Sequence, residues 1–202
     1  AAQLDAICAA AFAVEPPLRR FGDHGDYILE LFHGATAAFK DYGAGFLAAA
    51  LSALPQGEKP LTIVVATSGD TGAAVGAAFH NKPNVRVAIL YPDGRVAPRQ
   101  AHQLGCFGDN VRAFRVDGSF DDCQALVKAL LSDATFKQEV PLGSANSISL
   151  GRLLPQMAYY AHAALGHWRS TGTLLHFVVP TGNLGNATAC VLARHIALPI
   201  AD

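Results

Sequence analysis

The central third of the chain repeats one pattern of apolar and polar positions. Leu61–Ala66 (LTIVVA) is a continuous apolar run rich in β-branched residues, the pattern of a strand buried on both faces of a parallel sheet. Val85–Tyr91 and Val111–Val116 read as two further strands. Between and after them lie helical patterns. Asp70-Thr71-Gly72 opens a helix of small residues to about His80, Pro98–Leu104 predicts a second, and Phe120–Ser132 a third, with Leu126, Val127, Leu130 and Leu131 at helical spacing. The strand starts at 61, 85 and 111 are 24 and 26 residues apart. That is the rhythm of βαβ units, which predicts an α/β fold with a parallel sheet and right-handed crossovers.

The flanks are less regular. Ala1–Ala13 predicts a helix that Pro16-Pro17 ends. Tyr27–His33 reads as a strand broken by Gly34, and about Ala37–Leu54 as a helix closed by Pro55 and Gly57, which puts Lys40 in its first turn. Beyond Gly143, Leu150–Leu165 predicts a helix that Pro155 kinks. His176–Val179 follows as a strand, Pro180–Asn186 as a loop and Ala187–Ala197 as a helix. The expected organisation is three-part: residues 46–142 form a smaller α/β unit, and residues 1–45 and 143–202 belong together as a second unit.

Composition narrows the function classes. The 202 residues are 51% hydrophobic and 15% charged with a net charge of −1, enough apolar side chain for a packed core and no electrostatic reason for a nucleic-acid partner. No apolar run approaches the ~18 residues of a membrane span. The opening stretch carries Asp5 and no basic leader, so it reads as a helix and not a secretory signal, and a cytoplasmic location is expected. The chain has no initiator Met, and its last residues resemble the exit from a helix towards a strand; a piece of a longer protein is expected. Cys8, Cys106, Cys123 and Cys190 form no C-x-x-C pair and read as buried free thiols. The eight histidines form no H-x-x-x-H pattern, so no metal site is expected.

Three segments carry candidate chemistry, each at a strand-to-helix junction, where α/β folds bind their ligands. Thr181-Gly182-Asn183-Leu184-Gly185-Asn186 precedes a helix. Its glycines let a ligand approach the backbone, and the helix start offers unpaired N–H groups suited to a phosphate; the same loop also reads as a tight turn with an asparagine cap. Ala66–Gly72 (ATSGDTG) supplies three hydroxyls and a carboxylate at a helix start. It is no P-loop, and Asp70 or Thr71 also reads as a plain N-cap. Lys40 sits in the first turn of its helix among Ala37, Ala38, Phe39 and Phe46. A lysine at the positive end of a helix in apolar surroundings suits Schiff-base chemistry, whereas a surface lysine paired with Asp41 is the plainer alternative. Two phosphate-friendly loops and one oddly placed lysine together suggest pyridoxal 5'-phosphate, which needs a lysine for its aldehyde and a helix end for its phosphate.

Four strings then carry a family resemblance. ELFHGATAAFKDYG (Glu30–Gly43), ATSGDTGAAV (Ala66–Val75), SANSISLGRLLPQ (Ser144–Gln156) and VVPTGNLGNATA (Val178–Ala189) resemble, in order, the lysine motif, the second motif, the NSIN…R segment and the phosphate loop of the threonine synthase family of fold-type II pyridoxal-phosphate enzymes. The resemblance runs from about Leu29 to the end of the chain.

The resemblance implies a fold and a set of roles. Residues 1–45 and 143–202 belong to a large cofactor domain that carries the lysine and the phosphate loop. Lys40 holds the cofactor as a Schiff base and is the catalytic residue. Gly182, Asn183, Leu184, Gly185 and Asn186 surround its phosphate, and Asp70 stands near its ring hydroxyl. Thr67, Ser68, Thr71, Asn146, Ser147 and Arg152 hold the substrate's phosphate or carboxylate. The implied reaction converts O-phospho-L-homoserine and water into L-threonine and phosphate, with a small-molecule substrate and neither nucleic acid nor membrane as partner. Ala35 replaces the usual proline and Ser149 the second asparagine of NSIN, and the segment that meets the pyridine nitrogen in the family is not among these residues. A serine or threonine dehydratase of the same fold and a non-catalytic phosphate-binding fragment remain as alternatives.

Overall fold

The computed structural model describes residues 1–55, 57–146 and 149–202. In chain order its elements are α1 (Ala2–Ala11), β1 (Leu18–Phe21), β2 (Asp26–Leu29), α2 (Lys40–Ala53), β3 (Leu61–Ala66), α3 (Asp70–Phe79), β4 (Val85–Pro92), α4 (Pro98–Gly105) and β5 (Val111–Val116). There follow α5 (Phe120–Ser132), α6 (Ala134–Glu139), β6 (Leu142–Ser144), α7 (Leu150–Leu153), a 3₁₀ turn (Leu154–Gln156), α8 (Met157–Thr171) and α9 (Gly185–His195).

The apolar runs pair as the pattern predicts. Strands β5-β4-β3-β6 form one parallel sheet, with Ile63 opposite Val87 and Val87 opposite Val111. Because side chains alternate along a strand, β3 feeds two cores. Ile63 and Val65 pack with α3 residues Val75 and Phe79 and with α2 residues Ala44 and Ala48. Val64 and Ala66 face Cys123 and Val127 of α5 on the other side. A third cluster joins Tyr42 of α2, Tyr159 and Tyr160 of α8, and Ala189 and Ala193 of α9. Ser119 starts α5 as a reciprocal capping box with Asp122.

Several expectations need correction. The strand expected over Tyr27–His33 is only the four residues of β2, paired antiparallel with β1, which had not been foreseen. The ladder closes at Leu18 opposite Leu29, and Pro17 beyond it has no N–H to extend it. The short α6 and β6 were also unforeseen. His176–Val179 has no ladder among the described residues; its neighbour Leu175 makes one isolated bridge with Ile200, and Val178 is 96% exposed. The helix expected over Leu150–Leu165 breaks at Pro155 into α7, a 3₁₀ turn and α8, which then runs on to Thr171. Helix α9 begins two residues early, at Gly185, because Leu184 turns the chain in the left-handed region at φ 56°. The cysteines are free, with Cys123 and Cys190 buried but Cys106 exposed. Among the described residues, no helix is long and apolar enough to cross a membrane.

One glycine ties α2 to α7. A Cβ on Gly43 would stand 2.5 Å from the backbone carbonyl oxygen of Arg152. Backbone cannot rotate away as a side chain can, so the helices would have to separate. Gly43→Ala is therefore expected to lower the stability of the protein by about 1–3 kcal/mol, read as an earlier urea midpoint with an unchanged slope; an unchanged midpoint would refute the close-approach argument.

Candidate active site around Lys40

Lys40 is the first residue of α2, and the turn before it is fixed by Asp41. The Asp41 carboxylate accepts hydrogen bonds from the Thr36 backbone N–H and the Thr36 hydroxyl. Gly34 makes room for it, since a Cβ there would lie 2.5 Å from Asp41 Oδ2. Asp41 is thus engaged with Thr36, and Lys40 pairs instead with Asp70 across the sheet edge, Nζ to Oδ2 3.4 Å. Lys40 Nζ also lies 4.4 Å from the centre of the Phe39 ring, close enough for a cation–π contact. Gln100 of α4 donates to the other Asp70 oxygen at 3.0 Å. It reaches there because Gly69 has no side chain; a Cβ would stand 2.6 Å from Gln100 Nε2.

Lys40 stands between two cavities. The first, about 420 Å³, is walled by the β3–α3 turn, including Ser68 and Thr71, by Asn146, and by Gln124 and Lys128 of α5. The second, about 250 Å³, is walled by Gly182, Asn183, Gly185 and Asn186 together with Arg152. Lys40 and Asn183 line both. The structure therefore brings Lys40, Thr67, Ser68, Asp70, Thr71, Asn146 and Asn183 around one cavity, and the glycine loop around the other. Leu184 lines neither and is exposed. Ser147 lies outside the described residues.

Two of the residues expected to meet substrate are placed differently. Thr67 is buried, and its hydroxyl donates to the Gly69 carbonyl while accepting from the Gly69 and Gly72 N–H groups. One proton and two lone pairs are all a hydroxyl has, so Thr67 shapes the turn and has no bond left for a ligand. Ser68 and Thr71 make no side-chain hydrogen bond among the described residues and remain available. Arg152 is 1% exposed and sits at the glycine-loop cavity, away from Ser68 and Thr71. Its Nη1 donates to the Ala145 carbonyl at 2.9 Å, while its Nε is buried without a partner among the described residues. Burial pushes its pKa down to about 10, so at neutral pH the guanidinium is charged.

Sequence reasoning set Tyr159 and Tyr160 aside as packing or surface aromatics. They are buried, and their hydroxyls donate to Asn186 Oδ1 at 2.5 and 2.7 Å. Burial raises the pKa of both and keeps both protons on. The Asn186 oxygen is thereby held towards the tyrosines, which turns its amide nitrogen away from them. Gln100, Gln124 and Lys128 were also missed. They lie on helices 60 to 88 residues from Lys40, and only the spacing of Phe120, Gln124 and Lys128, four residues apart on one helix face, could have grouped the last two.

The glycine-loop cavity fits a phosphate group. The first backbone donor of α9 to find a helical partner is Thr188, bonded to Leu184, so earlier N–H groups remain at the helix's positive end. Beside them lies a buried guanidinium with an unpartnered Nε. The Lys40 amine lines the same cavity, so a phosphate site and an amine for an aldehyde stand together.

The comparison with protein families agrees. Residues 18–199 match the family model described as pyridoxal-phosphate dependent enzyme. The chain belongs to this family. Among pyridoxal-phosphate-dependent enzymes, it is similar to the threonine synthase of Haemophilus influenzae, 44% identical over 98% of this chain and 46% of that one. Its structure resembles the crystal structure of threonine synthase from Escherichia coli, with a TM-score of 0.87 and 45% identity over 97% of this chain and 45% of that one. It also resembles the pyridoxal-phosphate-bound threonine synthase from Brucella melitensis, with a TM-score of 0.85 and 40% identity over 98% of this chain and 44% of that one. The chain spans about half the length of the curated relatives it matches.

Proposed function

We propose that the protein of which this chain is a part converts O-phospho-L-homoserine and water into L-threonine and phosphate. The observation that carries the reading is the position of Lys40, shared by a phosphate-suited cavity on one side and a cavity with free hydroxyls on the other. The similarity to threonine synthases supports the choice of substrate.

The bound cofactor supplies an electron sink for carbanion chemistry next to the substrate's amino group. The chain's own residues do the rest. The glycine loop and Arg152 would hold the cofactor's phosphate, and Asn183 stands where the two cavities meet. Lys40 anchors the aldehyde end through Nζ. The Lys40 amine would also be the base and acid that moves protons at the substrate's Cα and Cβ. Asp70, steadied by Gln100, holds Nζ at that position and would stand near the cofactor's ring hydroxyl. Ser68, Thr71 and Asn146 face the first cavity as partners for the substrate's anionic groups. Thr67 keeps the turn that presents Ser68 and Thr71 in shape.

The test is an assay of the full-length protein loaded with pyridoxal phosphate. With O-phospho-L-homoserine it is expected to release phosphate and threonine in equal amounts. Conversion of serine or threonine to a keto acid, with phosphohomoserine untouched, would assign it to the dehydratases instead.

A further inference from the structure

We propose that Lys128 is the cation that receives the phosphate group of the substrate, and so sets the preference for a phosphate ester over a free hydroxyl. This rests on the functional reading above, and it names a residue that the family resemblance did not.

The argument is one of charge within the cavity that holds Ser68 and Thr71. Its ionic lining residues are Lys40, Asp70 and Lys128. Lys40 and Asp70 pair with each other. Lys128 has no carboxylate within ion-pair distance among the described residues, so it is the uncompensated charge of this cavity. Arg152, the other candidate cation, is enclosed at the opposite cavity. A dianionic group entering beside Lys40 thus meets one free positive charge, and it lies on α5.

The geometry of α5 makes that placement a property of the fold. Phe120, Gln124 and Lys128 recur every fourth residue and all three line the cavity. Between them on the helix, Cys123 and Val127 are fully buried against the sheet, which fixes the rotation of α5 and hence the face that carries Lys128. Opposite this stripe stand the free hydroxyls of Ser68 and Thr71, at the start of α3, where the helix dipole also favours an anion. Asn146 lines the same cavity, and its side-chain amide carries two N–H groups that can donate to an anion. An ammonium on one wall and hydroxyl donors on the other form a site for a tetrahedral oxyanion. A substrate with a free hydroxyl in place of the phosphate would leave the ammonium unused.

The experiment compares full-length holoenzyme with its Lys128→Gln and Lys128→Arg variants. The readouts are KM for O-phospho-L-homoserine, the binding of inorganic phosphate followed through the cofactor's absorbance, the affinity for pyridoxal phosphate, and the urea midpoint. Loss of a charge-assisted contact is expected to weaken both substrate and phosphate binding about ten- to a hundredfold in Lys128→Gln. Lys128→Arg should recover most of it, and cofactor affinity and midpoint should stay unchanged. Unchanged KM and phosphate binding in Lys128→Gln overturns the proposal, as does a wild-type holoenzyme that binds no phosphate. If phosphate binding falls in the variant but the wild type does not turn over phosphohomoserine, the anion site stands and the functional reading fails.

Discussion

Replacing Lys40 with alanine is expected to remove the borohydride-reducible link to pyridoxal phosphate and to lower turnover at least about 10³-fold. The amine sits at the boundary of two cavities, so no neighbouring lysine can stand in for it; Lys128 lies across the first cavity and outside the second. Reduction of the loaded wild type followed by peptide mass mapping should give one label, at Lys40. Lys40→Arg is the sharper variant. It keeps the positive charge facing Asp70 but cannot form the link, so it too should lose the label and the activity. Neither change should unfold the protein, because the Lys40–Asp70 pair is partly exposed and such pairs contribute at most about 1 kcal/mol. A label retained at another lysine, with activity intact, would show that Lys40 is not the anchor.

The parts of the fold that could be read from the chain are those whose cause is local. Strands β3 and β5 and helix α5 have the bounds the pattern predicts: β3 is a continuous apolar run, Val111 and Val116 bracket β5, and a capping box at Ser119 and Asp122 marks where α5 begins. Tyr27–His33 and His176–Val179 are equally apolar to the eye, yet a strand exists only where a neighbour pairs with it. One found four residues of partner and the other found none among the described residues. The site divides in the same way. The glycine loop, the hydroxyl turn and Lys40 each carry their chemistry in a short string. The partners of these groups do not. Asp70 meets Lys40 across 30 residues and Tyr160 meets Asn186 across 26. Thr67 shows the limit most clearly: three hydroxyls within five residues look alike in sequence, and only the folded turn shows that one of them is already fully bonded.

Arg152 is the residue whose proposed role departs furthest from the one the resemblance implies, and its replacement has the second largest expected effect. The resemblance assigns it to the substrate, whereas its position at the glycine loop, with Nε unpartnered, points to the cofactor's phosphate. Arg152→Met keeps most of the side-chain volume and removes the charge. Affinity for pyridoxal phosphate is expected to fall about ten- to a hundredfold, the equivalent of one charge-assisted hydrogen bond of 1.5–3 kcal/mol. Affinity for pyridoxal, which lacks the phosphate, should barely change. Arg152→Lys should fall between, keeping the charge but losing the fork that reaches two oxygens and Ala145 together. The charge itself does not add a pH dependence near neutrality. Its folded pKa of about 10 lies below the ordinary 12.5, so the unfolded chain binds the extra proton only above roughly pH 10, where stability should rise with pH. Cofactor affinity through this contact should accordingly be flat from pH 6 to 9. If pyridoxal and pyridoxal phosphate weaken equally in Arg152→Met, the side chain only supports the fold. If both keep their affinity while KM for the phosphate ester rises, Arg152 reaches the substrate, and the guanidinium must move out of its buried position when that substrate binds.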